Sequence, residues 1–103
     1  MSINERIQQI LDQHKVVLFM KGSPQAPLCG FSARATAILQ DLGAAFHTVN
    51  VIDDQEIREG IKAFGNWPTI PQLYVNKELV GGSDIMMEMY QSGELKELFK
   101  DLK

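Results

Sequence analysis

Residues 16–20 read Val-Val-Leu-Phe-Met, five apolar side chains without interruption. Strands with one face in water alternate apolar and polar residues, whereas strands covered on both faces read as near-continuous apolar runs. The run is too short for a helix and opens on two β-branched residues, so it predicts a buried strand. Such a strand needs a sheet around it and helices over the sheet.

The flanking sequence supplies both. Ser2 and Glu5 form an S-x-x-E capping box ahead of Ile3, Ile7, Ile10 and Leu11, which predicts a first helix ending near His14. Residues 21–28 carry Gly22, Pro24 and Pro27 and read as a loop. Phe31, Ala35, Ile38, Leu39 and Leu42 recur at helical spacing, with Gly43 as a stop, and residues 46–51 read as a second strand. Asp53 and Asp54 can cap a third helix bearing Ile57, Ile61 and Phe64 and closed by Gly65. A two-proline loop, 66–71, precedes two short strands, 72–75 and 78–80, joined by an Asn76-Lys77 turn. Gly81-Gly82 breaks the last strand. Ser83 is placed to cap a fourth helix with Ile85, Met86, Met89 and Tyr90 inward and Met87 facing elsewhere. Gly93 ends it, and Leu95, Leu98, Phe99 and Leu102 predict a short final helix. The first two strands, joined through a helix, should be parallel with a right-handed crossover, and the last two a hairpin. The expectation is an α/β fold, a small mixed four-stranded sheet flanked by about five helices, as a single domain over residues 1–103.

Composition narrows the function classes. With 45% hydrophobic and 22% charged residues the chain is too apolar for a disordered one. Ten basic against 13 acidic residues, net charge −3, argue against nucleic acid as a partner. No run of 18 apolar residues offers a membrane span, and Met1-Ser2-Ile3-Asn4-Glu5-Arg6 lacks a signal-peptide pattern. The single cysteine, Cys29, cannot form an internal disulfide, and with only two histidines it cannot complete a structural zinc site.

Cys29 is the informative position. It sits after a strand and loop at the predicted start of a helix, where unpaired N–H groups and the helix dipole favour thiolate over thiol. Lys21, at the other end of the loop, can add positive charge, and Gly30 leaves space beside the sulfur for a partner. The plainer reading is a buried, inert cysteine. His14, at a helix end, and His47, in a strand, lie far from Cys29 in sequence and are read as non-ligands. Trp67 reads as core, provided its N–H finds a partner.

The stretches Met20-Lys21-Gly22-Ser23-Pro24, Cys29-Gly30-Phe31-Ser32, Trp67-Pro68-Thr69-Ile70-Pro71-Gln72-Leu73 and Gly81-Gly82-Ser83-Asp84 occur in this order along essentially the whole chain. Together they resemble the monothiol glutaredoxins of the CGFS type. The resemblance implies a thioredoxin-like fold, with Cys29 as active thiol and metal-cluster ligand. It implies that Lys21 and Arg58 bind the glycine carboxylate of glutathione and that Ile70 presents its backbone to glutathione before a cis Pro71. Gly82, Ser83 and Asp84 would hold the γ-glutamyl end, which suits a helix N-terminus. The sequence departs from the family at Ser83, commonly a cysteine there, and at Ile70, often aromatic.

Ligand counting then favours a shared [2Fe–2S] cluster. Such a centre takes four outer ligands; two chains give two Cys29 thiolates, and two glutathione molecules complete the set. The expected function is iron–sulfur assembly and transfer by a cluster-bound homodimer, with BolA-type proteins and apo iron–sulfur acceptors as partners implied by the family. The alternative is a glutathione-dependent thiol–disulfide oxidoreductase using Cys29 alone; a thioredoxin-like interaction module with an idle cysteine comes third. The free thiol and the need for glutathione imply a reducing compartment, with the cytoplasm as the simplest expectation.

Overall fold

A computed structural model describes residues 1–102. The elements are α1 (Ile3–Gln13), β1 (Val16–Met20), α2 (Gly30–Asp41), β2 (His47–Asn50), α3 (Gln55–Gly65), β3 (Gln72–Val75), β4 (Glu78–Gly81), α4 (Ser83–Ser92) and α5 (Glu94–Lys100). The sheet order is β2-β1-β3-β4. β1 pairs in parallel with β2 and antiparallel with β3, and β3 and β4 form an antiparallel hairpin. This is the mixed four-stranded sheet with five helices read from the sequence.

The apolar run is explained by what covers it. Val16, Leu18 and Met20 join Leu73 and Val75 against Ala35, Ile38 and Leu39 of α2, Met86 of α4 and Leu95 of α5. Val17, Phe19 and Tyr74 face the other way, onto Ile7 and Leu11 of α1 and Ile57 and Ile61 of α3. With helices on both faces, every position of β1 is buried, so no polar alternation survives.

Local chemistry sets the ends. Ser2 Oγ accepts from the Glu5 N–H at 3.2 Å, and the Glu5 carboxylate accepts from the Ser2 N–H at 3.2 Å. Asp54 caps α3 by accepting from the Ile57 N–H at 3.2 Å, and the same carboxylate pairs with Arg6, tying α3 to α1. Asn76 and Lys77 both have positive φ, 51° and 70°, as a two-residue hairpin turn requires.

Three local expectations need correction. α3 is closed by Asn66, in the left-handed conformation; Gly65 belongs to the helix and is small because Tyr74 packs over it. The cap of α4 is Gly82, with Ser83 as the first helical residue and buried, so no side chain caps this helix. Met87 packs against the core with Met89 and Tyr90, while Ile85 stands over Gly81 and borders a cleft.

Candidate functional site

The cleft begins where β1 ends. Lys21 is the first residue of the loop leading to Cys29, and its backbone N–H donates to the buried Ser32 Oγ at 3.1 Å. The loop folds back on itself, with the Leu28 N–H donating to the Lys21 carbonyl at 2.9 Å. Gly22 lies in this narrow return at φ +91°, and a Cβ there would stand 2.5 Å from the Ala26 carbonyl oxygen. Only glycine satisfies both the dihedral and the space. Its N–H donates to Asn50 Oδ1 at 3.0 Å, which also accepts from the Ile52 N–H at 3.0 Å. The start of the loop is thereby fastened to α2 and β2, and its end to Lys21.

Cys29 is the N-cap residue of α2 and is partly exposed. The backbone N–H of Ser32 is the main cause holding its thiol below the ordinary value; partial burial opposes this, and the Phe31 N–H, the Lys21 charge and the Ser32 hydroxyl add to it. These are the unpaired donors of a helix N-terminus, acting as the sequence leads one to expect. Leu28 and Phe31 flank the thiol and are 66% and 56% exposed. A Cβ at Gly30 would meet nothing within 4 Å, so the side facing solvent is open.

The second wall is the loop before β3. Gln72 is fully buried and donates through Nε2 to the Trp67 carbonyl at 3.0 Å and the Thr69 carbonyl at 3.2 Å. The Tyr74 hydroxyl donates to Gln72 Oε1 at 3.1 Å. A Cβ at Gly65 would stand 2.4 Å from that hydroxyl, which is why α3 ends in glycine on this side. The Ile70–Pro71 bond is cis. Ile70 borders the cleft, but its side chain, 7% exposed, packs with the core on the α1–α3 face.

The third wall is the start of α4. Gly82 and Ser83 are buried and Asp84 is exposed in the first turn. A Cβ at Gly82 would lie 3.2 Å from Trp67 Nε1, so glycine lets the indole close over the turn. That indole N–H is buried without a partner.

These walls enclose about 440 Å³. Lys21, Cys29, Arg58, Ile70, Gly82, Ser83 and Asp84, all the residues singled out in the sequence, line this one cleft. Among the described residues neither Lys21 nor Arg58 has a carboxylate within 4.0 Å. Lys62, Trp67, Thr69, Phe31 and Ile85 also line it and were not marked as site residues. Lys62 had a legible signal, since it follows Arg58 by four positions on one helix face. No group of three or more His, Cys, Asp or Glu among the described residues could hold a metal ion. Neither histidine lines the cleft; the fold stacks them on each other elsewhere, ring centroids 3.9 Å apart.

The fold and this cleft define a class, thioredoxin-like proteins with one activated thiol, and comparison with known proteins gives the family. The Glutaredoxin family profile matches residues 16–80. An uncharacterized monothiol glutaredoxin ycf64-like protein of Synechocystis is 56% identical over 92% of this chain and 89% of its own. Monothiol glutaredoxin-S17 of Arabidopsis thaliana is 48% identical over 98% of this chain, which spans only 21% of that protein. Among solved structures, reduced poplar apo GrxS14 aligns with a TM-score of 0.81 at 45% identity, over 92% of this chain and 87% of that one. A buckwheat glutaredoxin–glutathione complex shares the fold, with a TM-score of 0.85 at 22% identity over 96% of this chain and 88% of that one. The chain belongs to the glutaredoxin family, and within it to the monothiol glutaredoxins. Among the described residues no helix is long and apolar enough to cross a membrane.

Proposed function

We propose that this chain binds glutathione in the cleft and carries a [2Fe–2S] cluster as cargo between two copies, delivering it to apo iron–sulfur proteins. The observation that carries the reading is the convergence in one cleft of two cations without a carboxylate within 4.0 Å among the described residues, a helix N-terminus and a lowered-pKa thiol. Glutathione offers the complement: two carboxylates, an ammonium and a thiol. Its glycine carboxylate would lie on Lys21 and Arg58, its peptide along the Ile70 backbone, and its γ-glutamyl carboxylate on the N–H groups of Gly82 and Ser83. Asp84 would take the ammonium. The buckwheat relative's glutathione complex supports this ligand class.

The cluster follows from ligand counting. Four outer ligands are needed; each chain supplies Cys29 and holds one glutathione thiolate beside it, so two chains complete the set. The open side at Gly30 and the exposed Leu28 and Phe31 suit a second copy or a BolA-type partner pressed against the thiol. Two of the four ligands are exchangeable small molecules, which suits release to an acceptor. A glutathione pool places the protein in a reducing compartment, the cytoplasm in the simplest case.

A second reading rests on the lowered thiol pKa. Cys29 thiolate attacks the glutathione sulfur of a glutathionylated protein, the S–S bond breaks, and the protein thiolate leaves. A second glutathione then attacks the Cys29 mixed disulfide, giving glutathione disulfide and regenerating Cys29. With one thiol per chain, no dithiol route exists.

Two measurements test the cases separately, cluster assembly in Cys29→Ser and thiol transfer by the cluster-free parent. The cluster reading expects complete loss of cluster binding with the fold and glutathione binding kept; a variant that still assembles the cluster overturns it. The oxidoreductase reading expects the cluster-free protein to deglutathionylate a peptide faster than glutathione alone, and an equal rate removes it.

A further inference from the structure

A second cavity, about 810 Å³, opens at the far end of the sheet, and it shares no lining residue with the Cys29 cleft. It sits at the start of β1 and β2, between the end of α1, the loop from α2 to β2, and α5. The Cys29 cleft lies beyond the other end of β1, about 16 Å away by the strand rise. The volume is within the range of about 300–1,000 Å³ typical of ligand sites.

Its lining has two parts. Val16, Leu42, Phe46, Phe99 and Leu102 supply apolar surface, and Lys15, Lys96, Lys100, His14 and His47 supply basic groups. Among the described residues no Asp or Glu lines it, in a chain where acids outnumber bases by 13 to 10. Lys100 faces Glu97 at 4.0 Å and Lys15 Nζ donates to the Leu102 carbonyl at 3.5 Å, but neither Lys15 nor Lys96 has a carboxylate within 4.0 Å among the described residues. The carboxyl ends of α1, α2 and α5 open here, and each contributes about half a negative charge. That is about one and a half negative charges, against Lys15, Lys96 and a Lys100 that faces Glu97. Burial, and then the neighbouring His14, hold the His47 pKa below the ordinary value.

We propose that this cavity binds a small amphiphilic anion, a carboxylate on an aliphatic body, with the chain on Phe46 and Phe99 and the head group among Lys15, Lys96 and the stacked histidines. Charge alone or apolar surface alone fits half of the lining.

The test is an amide NMR titration of the whole chain with octanoate, with octanol and inorganic phosphate as the other arms. Octanoate is expected to give saturable shifts at His14, Lys15, His47 and Phe99 and none around Cys29, and to bind at least about ten-fold tighter than octanol or phosphate. Bound carboxylate should also raise the His47 pKa, by reciprocity of the two equilibria. The exposed pair Lys15→Glu and Lys96→Glu should weaken octanoate about ten-fold or more while the remaining amide spectrum stays native. Octanol or phosphate binding as tightly as octanoate, a charge-reversed variant that titrates like the parent, or no saturable shift at all would each overturn the proposal. These outcomes are independent of whether glutathione binds at Cys29.

Discussion

The two ends of the sheet both gather positive charge on an acidic chain, but they are built differently. At the carboxyl end of β1 the backbone is tied down: Ser32 holds Lys21, Asn50 holds Gly22 and Ile52, and Gln72 holds Trp67 and Thr69. At the amino end the ties are fewer, the Asn76 N–H to the Lys15 carbonyl and Lys15 Nζ to the Leu102 carbonyl, and the polar lining is Gln13, exposed lysines and two stacked rings. A site that must place one sulfur against one ligand needs fixed donors, because misplacement costs binding and reactivity directly. A cavity that gathers charge around an apolar floor tolerates movement. Buried polar ties therefore mark the end of the molecule where chemistry is expected.

The contrast can be broken most strongly at Gln72. Gln72→Leu leaves two carbonyls and the Tyr74 hydroxyl without their partner, a loss of about 2–4 kcal/mol in stability, read by denaturant unfolding. Glutathione affinity should fall with it, while octanoate shifts at the distal cavity persist in the folded fraction. Equal loss at both ends would mean that the ties serve the whole fold and not the cleft.

Lys21→Ala should weaken glutathione by about 1–3 kcal/mol, as for a lost charge-assisted hydrogen bond, measured by calorimetry. Stability should hold, because the structural tie at this position is the backbone N–H. Unchanged affinity would make the Lys21 ammonium a solvated surface charge.

Ser32→Ala sharpens the electrostatic side. The main cause of the lowered Cys29 pKa is the Ser32 backbone N–H, which alanine keeps; the hydroxyl is a lesser cause. The pH midpoint of iodoacetamide alkylation should therefore rise in the variant yet stay below the free-cysteine value of about 8.5. The sign for stability follows. A thiol whose folded pKa lies below its unfolded one stabilises the fold above the unfolded value, and that contribution fades as pH falls through the folded one. Cys29→Ser should remove this pH dependence; its persistence would assign it to another group.

The smallest effect is expected at Gly30. Alanine there meets no neighbour, so stability should change only by tenths of a kcal/mol, as for ordinary surface sites. The cluster-bound dimer should weaken if a second copy approaches at that side, and an unchanged dimer in analytical ultracentrifugation would place the partner elsewhere.

The architecture was legible because it rests on short-range chemistry. The unbroken run in β1, the Ser2 box, the Asp54 cap and the Asn76-Lys77 turn each state their conformation locally. Ser83 was misread as a cap because an N-cap preference is a one-residue signal, and at α4 the extended position falls one residue earlier, on Gly82. Gly65 looked like a helix stop, whereas its smallness answers Tyr74, a neighbour nine positions on and across a turn of the chain. The site was legible through Cys29 at a helix start and through the motif resemblance. Ser32 and Gln72 were not credited with their work, since their partners become visible only when β1, α2 and the loop before β3 are side by side. The stacked histidines were read apart because 33 positions separate them in sequence and one strand pairing joins them.

The central claim, a cluster held between two Cys29 thiolates with glutathione completing the ligands, is tested most directly by anaerobic reconstitution with iron and sulfide. The visible absorption spectrum and the solution mass are read with and without glutathione. The account predicts a charge-transfer band that appears only with glutathione and travels with a dimer. A colourless monomer under both conditions would contradict it and leave Cys29 as a nucleophile alone.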